Sequence, residues 1–417
     1  MNHSRLNGFQ LMFERPLFMT DLEFASRQPS KNPGFTAVAG GARLAFVDNL
    51  RWVMIVFVVS MHAAVTYSHL GSWYFMEDPK PGQAMTAVFA TYQVFLQAFF
   101  MGFLFLIAGY FVPGAFDRKG LARFLRDRAI RLGIPTLLFM LTIQPVTVYW
   151  LLRVFADPDR TPLARAYWPY LSSGRFLSGS GPMWFTFALL GFSLVYGLVR
   201  RLRRTPPGDQ PDAPLPTHRQ VVGLALVMGL CGFLVRIVQP MGTSVLNMQL
   251  CFFSQYILLF VVGVRAWHRD WLLRLPYRFG MRWFTLALTW GSLGWLAFIV
   301  TVSLTHREPE VGGGLTWPSA VLSFWEAFFC LGVCLGLTVW FREKFNRRSR
   351  LTGWLSDHSF SVYFIHTPIL VAITLALRPF AAPKPVKFLL ATLLGASLSY
   401  LVAALILRRI PVLKRVL

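Results

Sequence analysis

The chain has 417 residues, 55% hydrophobic and only 14% charged, with a mean hydropathy of +0.51. An ordinary soluble domain is about 45–50% apolar and about 25% charged, so this composition excludes a soluble globular enzyme, a disordered chain and a disulfide-stapled scaffold. Lys and Arg number 41 against 18 Asp and Glu, a net charge of +23, which suggests nucleic acid in a soluble protein but basic cytoplasmic loops in a membrane protein.

Residues 1–42 mix charge, Pro and Gly and read as a flexible cytoplasmic extension. The first 45 residues hold no apolar core followed by a cleavage site, so the first span is expected to stay as an uncleaved anchor. Ten runs are long and apolar enough to cross about 30 Å of hydrocarbon: 49–68, 85–112, 132–152, 183–200, 221–239, 249–266, 283–304, 317–341, 358–377 and 388–407. They show no period-two alternation, so helices are expected rather than barrel strands. Between the fourth and fifth runs, Thr205–Thr217 (TPPGDQPDAPLPT) reads as a Pro-rich linker. No repeat of 20–50 residues is visible, which leaves one transmembrane domain over 43–417. The fold class is all-α, a polytopic bundle of about ten transmembrane helices. Lys and Arg then sort by side. The N-terminus, the loops after even-numbered spans and the C-terminus hold 30 of them, and the loops after odd-numbered spans hold 9. That split puts both termini in the cytoplasm of a multi-pass inner-membrane protein and explains the charge without nucleic acid.

Ionisable residues inside spans are costly and are the first functional candidates. They are Asp48, Arg51 and His62 in the first span, Arg236 in the fifth, Glu326 in the eighth, and His358 and His366 in the ninth. On a helix Arg51 falls about 20° from His62, and Asp48 about 40° to the other side. Thr66 and His69 extend this polar line, which must face protein or a water-filled cavity. His62 lies about 20 Å deep, in the outer half. Taken singly, Arg51 could snorkel and His62 could pack; one shared stripe favours a site. A second cluster runs from Asp117 to Arg131 and ends at Gly133-Ile134-Pro135. Most of it is ordinary positive-inside charge, but Arg128 and Arg131 are i,i+3 neighbours abutting the third span, placed to hold a phosphate-bearing cytosolic ligand. In the ninth span Tyr363 and His366 are also i,i+3 neighbours, and Pro368 can bend the helix beside them. His366 there reads equally as the cap of a kink or as a catalytic group.

The four cysteines, Cys231, Cys251, Cys330 and Cys334, lie in apolar runs and read as small buried hydrophobes. There is no HExxH, GxSxG, Walker A or dinucleotide fingerprint, and no metal site is expected.

Several stretches together resemble the acyltransferase-3 membrane family, closest to the branch of the periplasmic-glucan succinyltransferase. They are RLAFVDNLRWVMIVFVVSMH ending at His62, FLIAGYF from Phe105, FLRDRAIRLGIP from Phe124, GPMWF from Gly181 and SFSVYFIHTPI from Ser359. FLVRIVQP from Phe233 and QYILLFVVGV from Gln255 fit the same branch. The ten residues between Arg51 and His62 match the family's first-span motif, and Arg128 and Arg131 match its cytoplasmic arginine pair. The resemblance runs from about Arg43 to the C-terminus.

It implies transfer of an acyl group, acetyl or succinyl in type, from a cytoplasmic acyl-CoA to a hydroxyl of a carbohydrate or glycan on the outer side, with no permanently bound cofactor. With the residue reading above, it gives His62 for catalysis and Arg51, Arg128 and Arg131 for the donor; the shared stripe adds Asp48 to catalysis, and the other intramembrane polar residues Glu326, Tyr363, His366 and Arg236 are expected in support. The chemistry agrees: a histidine is the usual base near neutral pH, and arginines suit the phosphates of CoA. The fused periplasmic esterase-like domain of some members is not expected here, which leaves the acceptor open. Two rivals fit the same residues. A transporter of a glycan or lipid-linked glycan would use intramembrane charges and broken helices, but no inverted repeat is visible. A haem held between His62 and His366 is disfavoured because their expected depths differ by roughly 8 Å. Oligomeric state is not legible in the sequence.

Overall fold

The computed structural model describes residues 44–203 and 213–417; the 1–42 extension and residues 205–212 of the Pro-rich linker lie outside these. In chain order the helices are α1 (Ala45–Ser68), α2 (Gln83–Gln97), α3 (Phe100–Arg128), α4 (Ile134–Leu138), α5 (Leu152–Phe155), α6 (Leu163–Ser172), α7 (Trp184–Leu202) and α8 (His218–Val238). They continue as α9 (Phe253–His268), α10 (Trp271–Arg274), α11 (Tyr277–Leu286), α12 (Ser292–Leu304), α13 (Trp317–Lys344), α14 (Arg350–Ala376), α15 (Lys384–Leu405) and α16 (Pro411–Val416). Among the described residues there is no strand, and nine helical runs are long and apolar enough to cross a membrane. One of them, Gln83–Phe155, has 73 residues, about 110 Å of helix and far more than one crossing needs. It joins the second and third expected runs, and the chain breaks it at Gly120 (φ 69°, ψ 171°). All ten expected apolar runs therefore lie in helix, two of them within one long helical stretch.

Local chemistry sets several ends. Thr217, the last residue of the expected linker, caps α8: its hydroxyl accepts from the Gln220 N–H while the Gln220 side chain accepts from the Thr217 N–H. Ser349 and Thr352 make the same reciprocal pair at the start of α14. Residues 129–155 alternate short α segments with π turns at Ala129–Gly133, Phe139–Ile143 and Val146–Leu151. A π turn and Pro145 release carbonyls that an α-helix would use. Tyr170 and Tyr167 on α6 donate to two of these, at Met140 (2.7 Å) and Leu141 (3.1 Å). That satisfies the backbone where hydrocarbon offers no partner.

Burial orders the bundle. In α1 and α13 67% of the apolar stretch is buried, against 28% in α8, so the first two are inner helices and α8 faces lipid. α1 packs against α14 and α15, and α3 against α9. The α3–α9 contact depends on two glycines. A Cβ on Gly109 would lie 2.2 Å from the Phe260 carbonyl oxygen, and one on Gly263 would lie 2.1 Å from that of Leu106. Small residues at such crossings let helix backbones touch where no hydrophobic effect drives them together.

Candidate active site

One end of the bundle gathers the start of α1, the end of α3 and the start of α14, and between them lies a cleft of about 270 Å³. Asp48, Arg51, Arg118, Arg128 and Arg131 line its polar mouth, and Ile55, Leu104, Phe185 and Tyr363 line its apolar depth. The three donor-site arginines of the sequence reading are thus brought together. Asp48 and Arg51 pair at 3.3 Å, with Arg348 3.9 Å from the second Asp48 oxygen. The Arg51 guanidinium sits 4.9 Å from the centre of the Phe111 ring, and that of Arg128 5.2 Å from Phe124. Acidic neighbours hold other cations near the mouth: Lys119 on Asp127 (2.6 Å), Arg200 on Asp117 (2.5 Å) and Arg348 on Asp357 (2.7 Å). Flat guanidinium groups over rings, beside an apolar slot, suit a ligand with phosphates at one end and a thin arm at the other.

Neither His62 nor His366 lines this cleft. On α1 it ends at Ile55, seven residues and about 10 Å short of His62. Beyond it stands a row of near-parallel rings. Tyr363 lies 6.0 Å from His366, His366 5.5 Å from His62, and His62 3.9 Å from Trp73. The Tyr363 hydroxyl donates to the Pro182 carbonyl in the GPMWF stretch, so that motif and the ninth span meet at the cleft floor. The two histidine rings lie 5.5 Å apart, closer than the expected offset of roughly 8 Å in depth. The reason lies at the helix starts. α14 begins at Arg350, eight residues before its apolar run, so His366 is about as far from the start of α14 as His62 is from the start of α1. Depth therefore gives no ground against coaxial ligation. Helix α14 continues through Pro368 as helix.

The structure separates the other candidates. Asp48 lies fourteen residues before His62, about 21 Å along α1, so it acts on Arg51 and does not reach His62. Arg236 and Glu326 form a buried ion pair between α8 and α13, with Ser323 accepting from Arg236 at 3.1 Å and Phe252 under the guanidinium at 5.3 Å. They stay outside the cleft lining and hold two helices together. His358 donates from Nδ1 to the Trp354 carbonyl (2.7 Å) on its own helix. His69 is not part of the helical stripe: it ends α1 in a left-handed conformation (φ 60°) and bonds the Glu77 carbonyl at 2.8 Å. Three cysteines are buried and one half-buried, and all four are free. No group of three metal-binding side chains occurs among the described residues.

Sequence reasoning missed the loop that covers His62 from the other end. Its Trp73 packs on the imidazole, and its Tyr74 donates to the Gln144 side chain. Burial, with Tyr170 beside it, raises the Tyr74 phenol well above its ordinary value, so it stays a donor. Glu77 is buried and pairs with Lys387 of α15 at 2.9 Å, and Lys384 donates to the Glu77 carbonyl at 2.8 Å. The Trp73-Tyr74 pair, set in a short loop between two spans, was the available signal; a lone loop glutamate carries none.

The family model described as an acyltransferase domain, that of the acyltransferase-3 family, matches residues 44–408. Glucans biosynthesis protein C of Salmonella gallinarum (strain 287/91 / NCTC 13346) is 22% identical over 382 residues, covering 88% of this chain and 93% of that protein. The protein of the same name from Salmonella paratyphi B (strain ATCC BAA-1250 / SPB7) is 22% identical over 383 residues, with the same coverage. No solved structure matches the chain. With its apolar helices, its arginine-mouthed cleft and a family match across most of its length, the chain belongs to the acyltransferase-3 family and is a membrane O-acyltransferase.

Proposed function

We propose that the protein moves an acetyl- or succinyl-type group from a cytoplasmic acyl-CoA to a hydroxyl of a carbohydrate or glycan on the outer side of the inner membrane. The observation that carries this reading is the cleft itself, cationic at its mouth, apolar in its depth and pointed at the paired histidines. The name of the relatives favours a glucan acceptor. The 30-to-9 split of Lys and Arg supports placing the cleft mouth and both termini in the cytoplasm.

Arg128, Arg131 and Arg51 hold the CoA phosphates, with Asp48 positioning Arg51. The pantetheine arm lies along Ile55 and Leu104 toward Tyr363. Because the cleft stops short of His62, Tyr363 must swing aside before the thioester reaches the base. The acceptor comes from the opposite end, past Trp73. His62 takes the hydroxyl proton, the oxygen attacks the thioester carbonyl, the C–S bond breaks, and the thiolate takes up the proton as free CoA. No resident cofactor is needed for this sequence.

Inside-out membrane vesicles test it. With radiolabelled acetyl-CoA or succinyl-CoA supplied outside, which is the cytoplasmic face, label should appear on glycan enclosed in the lumen. Label confined to glycan outside the vesicles would place the acceptor on the cytoplasmic side and contradict transfer across the membrane.

A further inference from the structure

His366 is fully buried, and its two ring nitrogens differ. Nδ1 lies 2.8 Å from the Tyr363 carbonyl oxygen. A carbonyl only accepts, so Nδ1 carries the proton and Nε2 of the neutral ring is a bare acceptor. That Nε2 is buried and has no hydrogen-bond partner among the described residues. A buried polar atom left unmet asks for an explanation, because it destabilises the fold unless something else uses it.

The neighbour able to use it is on α1. The His62 and His366 rings lie within 14° of parallel, with centroids 5.5 Å apart. An N–H···N bond lies in the plane of the donor ring and puts the centroids about 5 Å apart, so one imidazole must turn toward the other as well as shift by about half an ångström to close the contact. Hydrogen bonds of this kind are often long before substrate binds and tighten in the complex. Trp73 on one side and Tyr363 on the other flank the pair, each near-parallel to its histidine.

We propose that His366 is the positioning partner of His62. Its Nε2 accepts the N–H of one His62 nitrogen, which leaves the other His62 nitrogen unprotonated and free to take the acceptor proton. This rests on the reading of His62 as the base. When the acceptor O–H bond breaks, His62 becomes an imidazolium with one N–H held by His366. As the C–S bond breaks, the other proton passes to the thiolate, and His62 returns to its starting tautomer. A carboxylate does this work in a Ser-His-Asp triad. Inside a membrane an ionised carboxylate carries a heavy desolvation penalty, and a neutral imidazole does not. A second histidine is therefore the suitable orienting group at this depth.

The Nδ1 bond to Tyr363 is itself a structural contact, so His366→Ala would remove both roles together. Two other variants separate them. In His366→Asn the side-chain amide sits near the Nδ1 position and keeps a donor for the Tyr363 carbonyl, but nothing reaches the Nε2 position. In His366→Gln an acceptor oxygen reaches it. The readouts are the rate of acyl incorporation into cell glycans, by mass spectrometry at matched protein levels, and coenzyme A binding by the purified full chain. His366→Asn should lose about 10²-fold or more in rate, and His366→Gln should keep at least about tenfold more than Asn. Both should bind coenzyme A as the wild type does. Wild-type rate in His366→Asn, a Gln variant no better than Asn, or coenzyme A binding lost in step with rate would each overturn the proposal. Absence of incorporation by the wild type would instead overturn the functional reading beneath it.

Discussion

A helix crossing lipid keeps a histidine where protein or water receives it, and His62 meets both Trp73 and His366 there. A general base contributes about 10²–10⁴-fold to rate, so His62→Ala should abolish detectable transfer. Coenzyme A binding should persist, because Arg51 sits about 16 Å away on the same helix; loss of binding in step with transfer would place His62 in the donor site. At the mouth, Arg128→Ala or Arg131→Ala should weaken coenzyme A binding by about 1.5–3 kcal/mol, the scale of a hydrogen bond to a charged group. Lys should rescue either poorly, since an ammonium lacks the planar fork. Unchanged affinity in both Ala variants, read by calorimetry, would remove them from the donor site. Helical spacing alone made part of this legible. It put Asp48, Arg51 and His62 on one line, and the structure puts the first two in the cleft wall. It could not show that Asp48 serves Arg51, because residues on one stripe can still lie four turns apart.

The loop between α1 and α2 is the element that closes the far side of the histidine pair. It is pinned by the buried Glu77–Lys387 pair, whose side chains are 8% and 7% exposed. Removing one partner leaves a buried charge alone, so Lys387→Met should cost about 3–5 kcal/mol in the stability of this region. Thermal unfolding in detergent, with protease cleavage between Ser68 and Gln83 as the local readout, measures it. The double variant Glu77→Gln, Lys387→Met should recover much of the loss. Equal stability of wild type and Lys387→Met would mean that the loop is held some other way. None of this was legible from local sequence. The pair joins residues 310 positions apart, and that contact exists only once α15 packs on α1. The meeting of His62 and His366 was hidden for the same reason. The expected offset between them was too large because the polar first turns of α14, capped by Ser349, precede its apolar run.

At the scale of the molecule, membership of the acyltransferase-3 family favours the enzyme over the transporter reading. Apolar run length found each of the nine long apolar helical runs among the described residues, because hydrocarbon permits few alternatives to a helix. It did not show which helices are inner, since α1 and α8 are both apolar and differ only in what covers them. Reporter fusions after Pro206 and after Leu417 should both report cytoplasm; an outer-side signal at either would move the cleft mouth to the wrong face for acyl-CoA. The most direct measurement of the transfer itself is mass spectrometry of surface and periplasmic glycans from cells carrying the wild-type chain, the His62→Ala chain or neither. Glycans from wild-type cells should carry acetyl or succinyl mass increments absent from the other two. Identical glycan spectra in all three, or increments that survive in the His62→Ala cells, would contradict acyl transfer to glycan through His62.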